Sequence, residues 1–585
     1  MNQNMQNKFS IGYYKQNSLD LQSLEQNYNN DNDNDNHSLQ YNPFNIDKLQ
    51  NYNPIYNALF TLSNRNFNTI QLNQPYHFIN TETISYNKTP SNKNVFIKYS
   101  PLLDPLHYMV GKYQDNVDIL RNLPYPQDIS IDLSYTVLSK INSYNNCAYI
   151  DSFFCYLSSM TLHSHNVVNC LDFYDSFLGI QSNYKYDVTD DIDYLTSSTF
   201  FIDNIDKLYT LENVDIEQYK DNESRKKRSK LCISKSNHNI SAISITECLT
   251  DVSDITTENL NDCILYDNQI DVKLNNTHDN DNNTDQSSTS DDSSIAYTTD
   301  SNSDNEEWIT DDDDDDNSSE HTDETNDICD TLIDQYVYIH NFPIQMICLE
   351  KCDGTFDDLF TSGDVNIENS ASALFQIVMT LIIYQKMFDF THNDLHTNNI
   401  MYINTDIPFL FYQFENIIYR VPTYGKIYKI IDFGRSIYKF NGKQFCSDSF
   451  GPGGDADTQY NCEPFFNKNK ARLEPNMSFD LCRLGCSIYD FIIPDHLLYD
   501  EYNELQKTIY RWCLDDNDKN ILYKKNGEER YPEFKLYKMI ARTVHKHTPQ
   551  NQLRFPYFYQ FIYNKESFDP ISCNLINMDS LPRYI

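Results

Sequence analysis

The sequence predicts an α+β fold. Three observations carry that reading. Short β-like runs fill the region from about residue 75 to 180, helical periodicity dominates the C-terminal third, and a long acidic tract matching neither pattern lies between them. At 585 residues the chain is long enough for several domains, or for one domain with large insertions.

Residues 1–70 form a low-complexity, Asn- and Tyr-rich segment with Asn-Asp alternation at 29–36, expected to be flexible or only partly ordered. A first folded part is expected over 71–205. It opens with strand-like runs at Tyr76–Ile79, Thr83–Tyr86 and Asn94–Lys98. The spacing of Ile150, Phe153, Phe154, Leu157 and Leu162 predicts a helix over 148–163. Two further strands are expected at Leu171–Tyr174 and Phe177–Ile180. Residues 206–330 read as a disordered acidic insertion. Ser, Thr, Asn and Asp crowd this stretch, six consecutive aspartates run from Asp311 to Asp316, and its few apolar groups cannot offset the entropy of ordering.

Order is expected to resume in the last part, 331–585. Ile344–Leu349 reads as a buried strand and Ser370–Phe388 as a helix. A strand pair follows around 400–431, with an extra hairpin at Phe409–Tyr412 and Ile417–Arg420. A Gly/Ser/Asp-rich loop is expected over 441–460, then mostly helix to about 565. The most apolar stretch, Ala373 to Phe388, holds Gln376, Gln385 and Lys386, and is read as a core helix instead of a membrane span.

Charge and cysteine content narrow the function classes. The formal net charge is -40, and residues 201–335 alone hold 35 Asp and Glu against 9 Lys and Arg. Nucleic-acid binding needs concentrated positive potential, which only the run Arg225–Lys230 offers. That run reads as a solvated charge run, with a localisation or anion-binding patch as the alternative. The 15 cysteines show neither C-x-x-C nor zinc-ligand spacing. With no signal-peptide pattern, an intracellular protein with reduced thiols is expected, binding neither nucleic acid nor membrane.

The chemistry concentrates in His392-Asn393-Asp394-Leu395-His396-Thr397-Asn398-Asn399 and Ile430-Ile431-Asp432-Phe433-Gly434. Asp394 lies in a short loop after a helix. Asn399 follows five positions later, where its amide oxygen can reach the same site. Asp432 emerges from a strand end, and Gly434 permits a sharp turn just after it. Phosphoryl transfer needs this kind of set: a polarised hydroxyl, oxygen ligands for metal ions on the phosphates, and a cation for the nucleotide tail.

On these motifs the sequence resembles the protein-kinase superfamily over roughly 75–200 and 330–560. The resemblance implies a bilobal kinase-like fold: a small β-rich N-lobe holding the acidic insertion, and a mainly helical C-lobe. It implies ATP and Mg as cofactors, Asp394 as the catalytic base, and Asn399 and Asp432 as metal ligands. Val95-Phe96-Ile97-Lys98 resembles the strand whose lysine pairs the phosphates, and Asp151 is the candidate acid for Lys98. Leu349 to Gly354 resembles the hinge, with Leu349 as gatekeeper and the backbone of Glu350 and Cys352 meeting adenine. Asp480 to Tyr489 resembles the helix whose leading Asp holds the catalytic loop. Asp-Leu-His and the extra hairpin resemble the haspin-like branch, and composition resembles kinase-like proteins of large amoeba-infecting DNA viruses.

Residues 70–94 contain no glycine, so no Gly-rich phosphate loop precedes Lys98. Asn393 stands where the family carries an Arg that meets a loop phosphate, which implies activation without loop phosphorylation. The expected activity is Ser/Thr phosphorylation of a protein substrate, with a basic protein as the candidate. The alternatives are a pseudokinase that recruits partners through the acidic insertion, and a kinase of small-molecule hydroxyls.

Overall fold

The computed structural model describes residues 9–15, 44–113, 120–126, 136–214, 263–265, 334–494, 498–532, 534–563 and 574–585. The Arg225–Lys230 run and the aspartates 311–316 lie outside the described residues.

The fold is mixed α+β, with several small sheets and a set of helices. Among the elements that build the first half are β1 (Ile46–Gln50) and the meander β2 (Tyr76–Asn80), β3 (Thr83–Tyr86) and β4 (Thr89–Asn92). There follow β5 (Val95–Pro101), α1 (Cys147–His165), β6 (Phe173–Asp187), β7 (Tyr209–Glu212) and β8 (Tyr336–Glu350). The main sheet is antiparallel in the order β1-β6-β8-β5, with β7 also paired to β8. Its register sets Lys98 opposite Ile347 and Phe96 opposite Leu349.

Three differences from the sequence reading have local causes. The Asn/Tyr-rich start is not wholly loose: β1 joins the sheet, and Tyr52, Ile55 and Tyr56 are buried, because tyrosine brings apolar area as well as a hydroxyl. The two runs around 171–180 are one strand. The interrupting Asp175 is accommodated inside it by hydrogen bonds from Phe78 N (2.9 Å) and Gln74 Nε2 (2.8 Å). The acidic insertion begins later than residue 206, since β7 pairs Tyr209–Glu212 with Ile339–Tyr336. Tyr209 is fully buried there, so composition marked the boundary a few residues early.

The second half comprises α2 (Ile367–Phe388), β9 (Ile400–Asn404), β10 (Phe409–Phe414), β11 (Ile417–Pro422), β12 (Lys426–Ile430), β13 (Ile437–Phe440), β14 (Lys443–Cys446), α3 (Phe479–Ile492), α4 (Glu504–Trp512) and α5 (Lys535–Thr543). The extra hairpin is β10–β11, and Glu415 and Asn416 both take positive φ at its two-residue turn. The loop expected over 441–460 begins with a strand, β14, paired to β13. Helix α2 starts in a reciprocal capping box between Asn366 and Asn369 and ends at Asp389, whose φ is 49°. It is long and apolar enough to cross a bilayer, yet 94% of its most apolar window is buried in this core.

An aromatic cluster ties the helices to the site. Phe154 of α1 lies 4.7 Å from Phe433, 4.3 Å from Phe390 and 5.0 Å from Tyr384 of α2. Such pairs contribute about 0.5–1.5 kcal/mol each beyond area burial. They fix the position of α1 relative to the Asp432-Phe433-Gly434 turn.

Gly485 lets α3 and α4 approach closely. A Cβ there would stand 2.9 Å from Trp512 Cβ and 3.3 Å from Cys513 Sγ. Helix propensity alone favours Ala over Gly by about 1 kcal/mol. G485A is nevertheless expected to destabilise the protein by about 1–3 kcal/mol through overpacking, measured by urea unfolding.

Candidate functional site

The loop 392–399 is held in place by Asp480, at the start of α3. Its carboxylate accepts hydrogen bonds from His392 N (2.9 and 3.1 Å) and Asn393 N (2.9 Å), and it is fully buried. Burial pushes the Asp480 carboxyl up, opposed by His392 and by these two N–H groups. His392 spans the gap to the next strand, its Nε2 donating to Ile431 O (2.9 Å) and its Nδ1 accepting from Asp394 N (3.3 Å). Asn399 Nδ2 donates to Asp394 O (2.9 Å). Asn393 and Asp432 both adopt left-handed φ, 63° and 62°. Backbone of that kind away from glycine costs energy and clusters at functional sites.

The cation comes from β5. Lys98 Nζ lies 2.6 Å from Asp151 Oδ2 and 2.8 Å from Asp432 Oδ1. Asp151 also accepts from Phe433 N (2.9 Å), so one carboxylate on α1 binds both the strand lysine and the Asp-Phe-Gly backbone. Burial lowers the Lys98 ammonium, but Asp151 and Asp432 outweigh it and keep the charge firmly on. Burial raises the Asp151 carboxyl, offset in part by Lys98.

Asp394 has partners that the motifs did not reveal. Tyr537 on α5 donates to its Oδ1 (2.7 Å) and itself accepts from Arg483 Nε (2.9 Å). Arg435 stands 4.0 Å from Asp394 Oδ2 and also pairs with Asp455. Burial would raise Asp394, but Arg435, His396 and Arg483 hold its carboxyl below the usual range. Burial lowers the neighbouring His396 to about 4, so it is neutral near pH 7. Arg435 directly follows Gly434 and was within reach of sequence reasoning. Tyr537 lies 143 residues from Asp394, in a helix with no motif around it.

A cavity of about 800 Å³ takes Lys98, Asp151, Asp394 and Asp432 into its wall, together with Gly434 and Arg435. Leu349, Glu350, Cys352 and Asn399 are not on that wall. Leu349 is buried in the sheet. Glu350 N donates to Asp172 O (3.1 Å), and its carboxylate accepts from Asp172 N (2.8 Å) and pairs with Lys429. Of the residues read as the hinge, Glu350 is thus engaged by Asp172 and Lys429, and none lines this cavity. In chemical terms this cavity offers an ionised carboxylate, a fixed ammonium and a second carboxylate facing common space.

Comparison with models of known families and with curated proteins finds no match to the chain.

Proposed function

We propose that the chain is a phosphotransferase of the protein-kinase superfamily, with that family's bilobal fold and closest in pattern to its haspin-like branch. It would use ATP and Mg to phosphorylate Ser or Thr hydroxyls of protein substrates. The observation that carries the reading is the convergence of Lys98, Asp151 and Asp432 beside Asp394 in one cavity. Two carboxylates and a lysine drawn from β5, α1 and the turn after β12 have no packing need to meet at a cavity wall.

Among the described residues, no three His, Cys, Asp or Glu side chains form a metal-holding group. Mg is commonly held by one or two carboxylates together with substrate phosphates, so Asp432 on the cavity wall suits it, whereas Asn399, which lies off that wall, is a ligand by the family pattern alone. Bound Mg·ATP supplies the transferable phosphoryl group and neutralises its charge. Lys98, held charged by its two acids, takes the nucleotide phosphates. Asp394, held ionised by Arg435, accepts the proton of the substrate hydroxyl while Tyr537 fixes its carboxylate plane.

A thermal-shift titration with ATP, with and without Mg, tests the reading. Binding at about 100 times Kd stabilises the fold by about 2.7 kcal/mol. Wild type is expected to shift with Mg·ATP, and D432A not to. D394N is expected to retain the shift and lose about 10²–10⁴-fold in transfer to a basic protein. No shift at millimolar nucleotide would overturn the enzymatic reading.

One observation favours the second reading, a non-catalytic scaffold that recruits partners through the acidic insertion: residues 70–94, ahead of Lys98, contain no glycine to let a backbone loop approach phosphates.

A further inference from the structure

We propose that Asp448 is a built-in anionic clamp that positions α1, and through it Asp151 and Lys98, with no covalent modification of the chain. The inference rests on the phosphotransfer reading above and names how that site is assembled.

Helix α1 begins after Asn146, whose side chain accepts from Ala148 N (3.1 Å). The N–H of Cys147, at the first helical position, has no partner within the helix. It donates to Asp448 Oδ1 (3.0 Å), 301 residues away in the segment after β14. Asp448 Oδ2 accepts from Lys140 Nζ (2.7 Å), and Asp448 N donates to Asn145 O (2.7 Å). The ion pair is mostly enclosed, with side-chain exposures of 29% for Lys140 and 15% for Asp448. An anion at a helix N-terminus is favoured by both the free N–H groups and the helix dipole.

One turn further along α1 stands Asp151, which holds Lys98 and Phe433 N. The same helix end is thus fixed from two sides, by Asp448 at its first residue and by the Asp432–Gly434 turn at its fifth. The segment beyond Asp448 is held again at Tyr460, whose hydroxyl donates to Asn393 Oδ1 (2.8 Å), and at Thr458 O, which accepts from Arg542 (2.7 Å). These ties join carboxylate, hydroxyl, amide and backbone groups of the chain itself. A carboxylate bonded to a helix N–H and a lysine does here what an added phosphate does elsewhere, drawing a loop onto a helix end by charge-assisted hydrogen bonds.

The test uses the full chain as wild type, D448A and D448E, with K140M as an independent cut of the same clamp. Amide hydrogen exchange over residues 147–155 is expected to quicken by about tenfold or more in D448A and K140M, and to be partly restored in D448E. Turnover of phosphate transfer is expected to fall by about 10²-fold in D448A, with a much smaller change in the KM for the acceptor protein. Phosphatase treatment of wild type is expected to leave its rate unaltered. Wild-type exchange in D448A would overturn the clamp, and so would a wild-type rate that falls after phosphatase. A wild type that transfers no phosphate would overturn the phosphotransfer reading alone, with hydrogen exchange still deciding the clamp.

Discussion

Replacing Lys98 by methionine is expected to lower the unfolding free energy by about 3–5 kcal/mol at pH 7 and to abolish stabilisation by Mg·ATP. The side chain is only 14% exposed and lies between two acids, Asp151 at 2.6 Å and Asp432 at 2.8 Å. Methionine fills similar volume, so the loss is electrostatic: two carboxylates remain close together with no cation. The pH dependence follows from the upward push that burial gives Asp151. A carboxyl whose folded pKa lies above its unfolded value contributes stability at low pH, which is lost as pH rises through the folded value. In K98M that push is no longer offset by the ammonium. The deficit relative to wild type is therefore expected to be largest near pH 8 and to shrink toward pH 5. Urea unfolding at both pH values measures it, and an equal deficit at each would refute the ion-pair account.

The second large effect is expected at Asp480. D480A removes the acceptor for the N–H groups of His392 and Asn393, both fully buried. Each unsatisfied buried donor costs about 1–3 kcal/mol, so a loss of about 4 kcal/mol is expected by denaturant unfolding. On the proposed phosphotransfer reading, transfer is also expected to fall sharply because Asp394 is two residues beyond His392, although Asp480 itself is fully buried behind the loop. D480N retains one acceptor oxygen and should recover part of the stability. A D480A protein with wild-type stability would mean that the loop is held by other groups.

Much of the candidate site was legible because its residues lie in short local patterns. His392 to Asn399 follows a helix closely, Asp432 follows a strand, and Lys98 sits on a β run, so local periodicity was enough to place them. Asp151 was reachable through the helix that carries it, and the structure sets it against Lys98. The hinge residues illustrate the limit. Leu349 was read correctly as part of a buried strand, but the sequence held nothing to indicate that Glu350 would be engaged by Asp172 and Lys429. Tyr537 and Asp448 were not legible at all, since they reach the site through contacts that span 143 and 301 residues of chain.

The sequence by itself determined the α+β class, many of the elements around the site, the extra hairpin and the positions of the acids and the lysine on which the proposed phosphate chemistry rests. Hydrophobic period, turn residues and motif spacing are properties of neighbours along the chain, and they act whatever the distant segments do. The tertiary structure alone decided which charges meet. It set Lys98 between Asp151 and Asp432, placed Tyr537 and Arg435 on Asp394, and brought Asp448 to the first turn of α1. The physical reason is range: a hydrogen bond or ion pair acts over about 3–4 Å of space, and only packing of the core brings residues so far apart in the chain within that distance.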